Sequence, residues 1–338
     1  MDLIQIPGQT NNRFSQGTKP IASLCIILII YKVLSQYLGY VYYYVSFWIL
    51  SGSFSLRWAS VQEYFSDRVE LLRSTTFNMI ANISITAVCL LITLAVARFG
   101  FKMTVWSYMK PDKKSAVTAL KWTSPSFVFN MLSSTAIAFI TSFLNRFGVD
   151  VPTSDFSIRQ PSVLAVIMQF SYIIIIAPLV EEMIYRGFIL KTISPYSKTA
   201  AVFVSAIAFG LMHGNIPQAA SAFCTGIIYA VIAVKSGSIF PSMIIHSLNN
   251  LIVNGPELIN ALGLPYNQSV YSTIEICIGL FGFFMWFVHY KYILKFDETP
   301  KGPEKTLTIQ KIFTHPMIIA YFGLLLFYVI KDLISANS

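Results

Sequence analysis

Long apolar runs, each near the length needed to cross a hydrocarbon layer as a helix, recur along the whole chain between short polar loops. About 20 apolar residues in a helix span a bilayer. Inside lipid every backbone polar group must be satisfied within a helix or a closed barrel. No alternating strand pattern occurs, so strands and barrels are not indicated. Nine segments qualify, near Ile21–Tyr44, Thr76–Ala97, Phe127–Leu144, Ser162–Ile193, Thr199–His213, Pro217–Val234, Ile239–Val253, Ser272–Leu294 and Pro316–Ile330. The third, fifth and seventh are short, and the apolar patch Ser46–Leu50 extends the first run or lies in the interface. The expected fold is an all-α, polytopic transmembrane helical bundle of about eight to nine spans.

Composition agrees. Only 12% of the 338 residues are charged and 55% are hydrophobic, against about 25% charge in a typical soluble domain. A soluble fold of this size could not cover its surface with so few charges. The net charge of +9 does not imply nucleic acid, because the basic residues sit in loops between apolar runs rather than on one surface. They set orientation instead. With the N-terminus in the cytoplasm, sixteen lysines and arginines fall on the cytoplasmic side: Arg13, Lys19, Arg98, Lys102, Lys110, Lys113, Lys114, Lys121, Lys191, Lys198, Lys235, Lys291, Lys295, Lys301, Lys305 and Lys311. Six fall opposite: Arg57, Arg68, Arg73, Arg146, Arg159 and Lys331. The expectation is a multi-pass integral membrane protein with a cytoplasmic N-terminus, in the cell membrane if bacterial. Cys25, Cys89, Cys224 and Cys277 lie in apolar runs without a CxxC and read as small buried hydrophobes. No cleavable signal is evident, and the first run reads as a retained anchor.

An ionisable side chain inside a bilayer is costly and by default marks a functional site. The apolar runs hold Lys32, Glu181, Glu182, Arg186, His213, His246, Glu275 and His289. Lys32, Glu275 and His289 lie within a few turns of an expected interface, where snorkelling accounts for them. The other five cluster. In the stretch Glu181 to Arg186, Glu182 and Arg186 are four apart and share a helix face, so the arginine can neutralise that carboxylate. Glu181 is rotated away and free to face a cavity. A structural ion pair would explain Glu182 with Arg186 but leave the second carboxylate unexplained. Phe209 and His213 close the fifth run, where Ala206, Gly210 and Gly214 form a small-xxx-small stripe that permits close helix approach. His246 and Asn250 project together from the seventh run. At 1.5 Å per residue, Glu181 and His213 lie roughly 20 Å from the same membrane face, Asn250 roughly 18 Å and His246 roughly 12 Å.

That set suits amide hydrolysis. A carboxylate beside a histidine can take a proton from water, while a second histidine and an amide donate hydrogen bonds to an oxyanion. No cofactor is required by this scheme. A Zn²⁺ held by Glu181, His213 and His246 is the other physical option, although no His-Glu-x-x-His occurs. The absence of Gly-x-Ser-x-Gly, Walker and Gly-x-Gly-x-x-Gly patterns argues against serine hydrolase, ATPase and dinucleotide chemistry.

Three units, Glu-Glu-x-x-x-Arg (Glu181, Glu182, Arg186), Phe-x-x-x-His (Phe209, His213) and His-x-x-x-Asn (His246, Asn250), occur in this order on separate runs. Together they resemble the motifs of the CPBP intramembrane proteases, also called the Abi or CAAX prenyl endopeptidase family. The resemblance covers about Ser162–Val253, leaving 1–161 and 254–338 as flanking transmembrane regions without a recognised motif. It implies a membrane endopeptidase whose active site opens toward the cytoplasm. Glu181 would be general base, assisted by His213, with His246 and Asn250 stabilising the oxyanion and Glu182, Arg186 and Phe209 supporting. Members are often labelled metalloproteases, yet glutamate-activated water needs no metal. Eukaryotic members trim the last three residues of prenylated proteins; many bacterial members are linked to bacteriocin maturation or self-immunity. The expected partner is a membrane-associated peptide or protein substrate in the lipid bilayer. The alternatives are a non-catalytic scaffold or self-immunity protein and, third, a transporter with Glu181 and Glu182 as proton carriers.

Overall fold

A computed structural model describes residues 10–106, 109, 111, 113–153, 157–160, 162–294 and 307–337. Among the cations that set orientation, Lys110, Lys295, Lys301 and Lys305 lie outside the described residues, as do the side chains of Arg13 and Lys113. The described residues form an all-α bundle in which seven helices are long and apolar enough to cross a membrane. In chain order the helices are α1 (Thr10–Ser51), α2 (Trp58–Ser66), α3 (Val69–Arg73), α4 (Thr75–Ala95), α5 (Lys113–Asn145), α6 (Val163–Ile193), α7 (Lys198–Leu211), α8 (Ile216–Ser236), α9 (Phe240–Val253), α10 (Gly255–Ala261), α11 (Gln268–Leu294), α12 (Ile309–Phe313) and α13 (Pro316–Ala336). The patch Ser46–Leu50 simply continues α1. The third run, short by hydropathy, is a helix of 33 residues, because its polar first half is helical too.

Two apolar helices of the bundle are too short to span the hydrocarbon. α7 and α9 have 14 residues each, about 21 Å at 1.5 Å per residue, against ~30 Å of hydrocarbon. Their starts are set by local chemistry. Ser197 caps α7 by accepting from Ala200 N–H, and Pro241 occupies the first turn of α9. Their early ends leave space inside the bundle, and that space is where the polar residues meet.

The bundle has two distinct ends. At one, Lys19, Pro20 and Ser23 of α1 share a cavity of about 480 Å³ with Phe101–Thr104 and with Lys191, Thr192, Pro195 and Tyr196. At the other, Arg159 N–H donates to Thr75 Oγ1 (2.8 Å), Ile158 N–H to Glu257 Oε1 (3.1 Å), and Asp150 N–H to Asn337 Oδ1 (2.8 Å). These bonds tie the segment before α6 to the start of α4 and to α10, and the segment after α5 to the end of α13. An aromatic cluster of Phe47, Phe65 and Phe77, flanked by Tyr42, Tyr43, Trp48 and Trp58, sits at this second end, as Tyr and Trp do at membrane interfaces. Outward side chains such as Phe99, Phe139 and Phe287 are 71–84% exposed, the reverse of a soluble protein and the expected face toward lipid. One apolar core runs from Ile21 of α1 through α6, α7 and α8 to Leu325 of α13.

In lipid, helices associate through close packing rather than hydrophobic drive, so small residues matter at crossings. The α7–α8 crossing depends on two glycines. A Cβ on Gly210 would stand 2.6 Å from the Ala219 carbonyl oxygen, and one on Gly226 would stand 3.0 Å from Phe209 Cδ1 and 3.4 Å from Ala206 Cα. Gly214, expected in the same stripe, lies past the helix end at φ +82° with open space around it. It makes the turn into α8 rather than the contact. Gly210→Ala is therefore expected to cost roughly 1–3 kcal/mol by overpacking against backbone. Thermal denaturation of the purified protein should show a lower midpoint, whereas Gly39→Ala, with nothing within 4 Å of the added carbon, should not lower it.

Candidate active site

α6 carries two carboxylates of opposite fate. The helix is wound in wider, π-type turns over Tyr172–Ile176 and Glu182–Leu190, a distortion frequent at functional sites. Glu182 is fully buried, and its Oε1 lies 3.0 Å from Arg186 Nη1. Arg186 is fully buried as well. Its Nη2 donates to Gly226 O (3.3 Å), and its guanidinium lies 4.0 Å from the Phe209 ring centroid and 5.3 Å from that of Tyr229. The missing side chain of Gly226 is what lets the guanidinium reach the α8 backbone. Glu181 is turned away from this pair and lines an open cavity, its side chain 15% exposed.

α9 supplies the counterparts. Ser242, His246 and Asn250 recur every four residues and so share one face. Ser242 Oγ donates to Glu182 Oε2 at 2.7 Å, and His246 Nδ1 lies 3.2 Å from Glu182 Oε1. A carboxylate is acceptor only, so Nδ1 is the donor. His246 Nε2 then faces Glu181 Oε2 at 3.7 Å. Arg186, Glu182, His246 and Glu181 thus form one chain of polar groups from the core to the cavity. Tyr229 of α8 stacks on the His246 ring (5.1 Å between centroids, 28° between planes) and Phe209 meets it edge-on at 5.5 Å, which fixes the imidazole from both sides. Tyr229 is held in turn by Asn249 Nδ2, which donates to its hydroxyl at 2.8 Å.

Asn250 owes its position to a proline. In π-type turns the carbonyl of residue i faces the N–H of residue i+5, and Ala177 N–H indeed reaches Tyr172 O. For Ile173 the residue at i+5 is Pro178, which has no N–H. The freed Ile173 carbonyl accepts from Asn250 Nδ2 at 2.8 Å. This anchors the asparagine and leaves its second amide hydrogen for the cavity. His213, in the turn after α7, is set by its own backbone: Nδ1 donates to Phe209 O at 2.9 Å. Its Nε2 is accordingly the acceptor when the ring is neutral.

Glu181, His213, His246 and Asn250 all line one cavity of about 640 Å³. Its walls climb from a floor at Glu181, Tyr229 and His246 to a rim at Ser142, Thr153, Gln218 and Asn254, at the second end of the bundle. The rim is therefore at the end of the bundle opposite Lys19. The short helices α7 and α9 begin at the first end and stop below the second, which leaves the cavity on the side away from Lys19. Lys32 needs a correction. It does not snorkel to an interface but is buried at 7% exposure, its Nζ donating to Met212 O at 3.1 Å. Glu275 and His289 do not line the cavity. As for zinc, no three His, Cys, Asp or Glu side chains converge to hold a metal ion among the described residues. Glu181, His213 and His246 share the cavity without forming such a group. Ser242, Tyr229 and Pro178 were missed in the sequence. Only Ser242 left a signal there, its four-residue spacing from His246.

Residues 163–252 match the family model described as Rce1-like, type II CAAX prenyl endopeptidase. The motif-bearing segment is similar to that protease family. The match spans Glu181 through Asn250, the same residues that meet around the cavity, and supports a membrane endopeptidase. Comparison with the curated proteins and with the solved structures found no match.

Ser242 offers a direct check on the Glu182 hub. Ser242→Ala removes a hydrogen bond to a fully buried carboxylate and is expected to cost roughly 1–3 kcal/mol. Thermal denaturation should show the loss, and Ser242→Thr, which keeps the hydroxyl, should recover most of it.

Proposed function

We propose that this protein is an intramembrane endopeptidase that hydrolyses peptide bonds of a membrane-associated peptide or protein by glutamate-activated water. The observation that carries the reading is the pairing of a cavity-facing Glu181 with a His246 whose other nitrogen is held by Glu182. With Nδ1–H given to Glu182, neutral His246 presents an acceptor to Glu181, itself an acceptor. A water donating to Glu181 satisfies the carboxylate and is the natural nucleophile. Glu181 takes one proton from it, and His213 Nε2 accepts the other hydrogen and orients the oxygen. The oxygen bonds to the scissile carbonyl carbon, and the carbonyl electrons move onto its oxygen. That oxyanion is stabilised by the second amide hydrogen of Asn250 and by His246 Nε2 when the water proton taken up by Glu181 is shared with it. The proton held by Glu181 passes to the leaving nitrogen as the C–N bond breaks. Glu182 and Arg186 take no part in proton movement. They hold His246 in orientation, and Phe209 holds both the guanidinium and the ring.

Glu181→Gln keeps the shape but removes the base, and is expected to lower cleavage of a peptide library by about 10²-fold or more while the protein still folds and inserts. Mass spectrometry of the digests with and without chelator reads activity, sequence preference and metal requirement together. Cleavage by Glu181→Gln at the native rate would overturn the assignment, and no cleavage by the native protein under any condition would favour the scaffold or self-immunity reading.

The side of the membrane follows from charge. Along the sequence the loops expected on the N-terminal side carry sixteen lysines and arginines against six, and Lys19, Lys102, Lys191, Lys198, Lys235 and Lys311 of that set lie at the first end. Under the positive-inside rule the first end is cytoplasmic, so the cavity rim faces away from the cytoplasm and the substrate arrives from outside. In a cysteine-free background, Thr153→Cys at the rim should react with a membrane-impermeant maleimide in intact cells, and Lys102→Cys only after permeabilisation. The reverse pattern would place the rim in the cytoplasm.

A further inference from the structure

A second cavity of about 410 Å³ adjoins the catalytic one, and His213 and Thr153 line both. Its volume lies within the range of about 300–1,000 Å³ typical of ligand pockets. Its wall is cationic. Lys32 of α1 and Lys331 of α13 face it, with Asp332 the one acidic side chain on its lining. Lys32 is the unusual member. It is buried at 7% exposure in mid-helix, where an ammonium is costly. Among the described residues its Nζ donates to the carbonyl of Met212, the residue before His213, and it lies 4.9 Å from the Tyr328 ring centroid. An ammonium has three donors, so the bond to Met212 leaves donors for a guest. No carboxylate pairs with Lys32 among the described ion pairs.

A buried ammonium held one residue from a candidate catalytic histidine, on the wall of a side cavity with a second lysine, is arranged to receive an anion. We propose that this pocket seats a carboxylate group of the peptide substrate while the scissile bond lies over Glu181. The proposal rests on the protease reading for its ligand class, but its geometry does not depend on catalysis. A carboxylate here would exchange water for one charge-assisted bond from Lys32 and the exposed Lys331 ammonium, and such bonds are among the stronger polar contacts. The group is either the α-carboxylate of a chain end or an Asp or Glu side chain.

The test measures binding without cleavage. Fluorescein-labelled randomised hexapeptide libraries are titrated onto purified Glu181→Gln protein in nanodiscs of uncharged lipid and read by anisotropy. One library ends in a free carboxylate, one in a carboxamide, and one in a Glu residue with a carboxamide end. The free-acid or the Glu library should bind about tenfold tighter than the neutral one, as loss of a hydrogen bond to a charged group implies. Which of the two binds identifies the source of the carboxylate. Lys331→Gln, a change at an exposed position, should reduce that preference several-fold, and Lys32→Met should abolish it. Equal binding of all libraries, including none by any, would overturn the proposal, as would a preference that survives both substitutions. Loss of the preference on adding phosphatidylglycerol to the nanodiscs would overturn it in favour of a lipid headgroup. A preference that holds while the native protein cleaves nothing would leave the pocket standing and remove the protease.

Discussion

The buried pair of Glu182 and Arg186 is the contact on which the rest of the site depends. Isolated charges in a low-dielectric interior are expensive, and breaking a buried pair by removing one partner costs about 3–5 kcal/mol. The fold meets that demand with several groups at once. Arg186 reaches the α8 backbone at Gly226 and lies against Phe209 and Tyr229, while Glu182 accepts from Ser242 and His246. α6, α7, α8 and α9 are thereby fixed to one another through a single ion pair. Everything that faces the cavity is oriented from that side.

The surroundings of the pair turn stability into chemistry. Because Glu182 satisfies one nitrogen of His246, the other is aimed at Glu181. Because Pro178 leaves the Ile173 carbonyl without a backbone donor, Asn250 is drawn to it. Because α7 ends after 14 residues, His213 stands inside the bundle instead of at its surface. The last two are local deviations from regular helix geometry, and each of the three places one polar group on the cavity wall. Such deviations are tolerable in a membrane only where protein or a water-filled cavity meets the freed backbone groups, which is the situation along this wall.

The geometry also sets the cavity rim at the end of the bundle away from Lys19. Lys19 and Lys191 share a cavity at one end of the bundle, and the cavity that holds Glu181 reaches toward the opposite end. The resemblance to proteases that open toward the cytoplasm pointed the other way. The motif segment fixes the polar residues relative to one another, but not which face of the membrane they serve. That depends on loop charges outside the 163–252 match.

Hydropathy and residue spacing were enough to read the helical class, the pairing of Glu182 with Arg186 on one face and the separation of Glu181 from them. These follow from helix periodicity and the cost of charge in lipid, which act within a single segment. The sequence also held the three motifs, each on its own helix. What it could not show were relations between helices: that Tyr229 would stack on His246, that Pro178 would free a carbonyl for Asn250, or that the rim would lie opposite the N-terminus. Lys32 is the clearest case. Along the chain it is one lysine within a few turns of an expected interface, explained by snorkelling, and only the packing of α1 against the turn after α7 buries it beside His213. Periodicity assigns a side chain to a face of its own helix; what that face meets is set by tertiary packing.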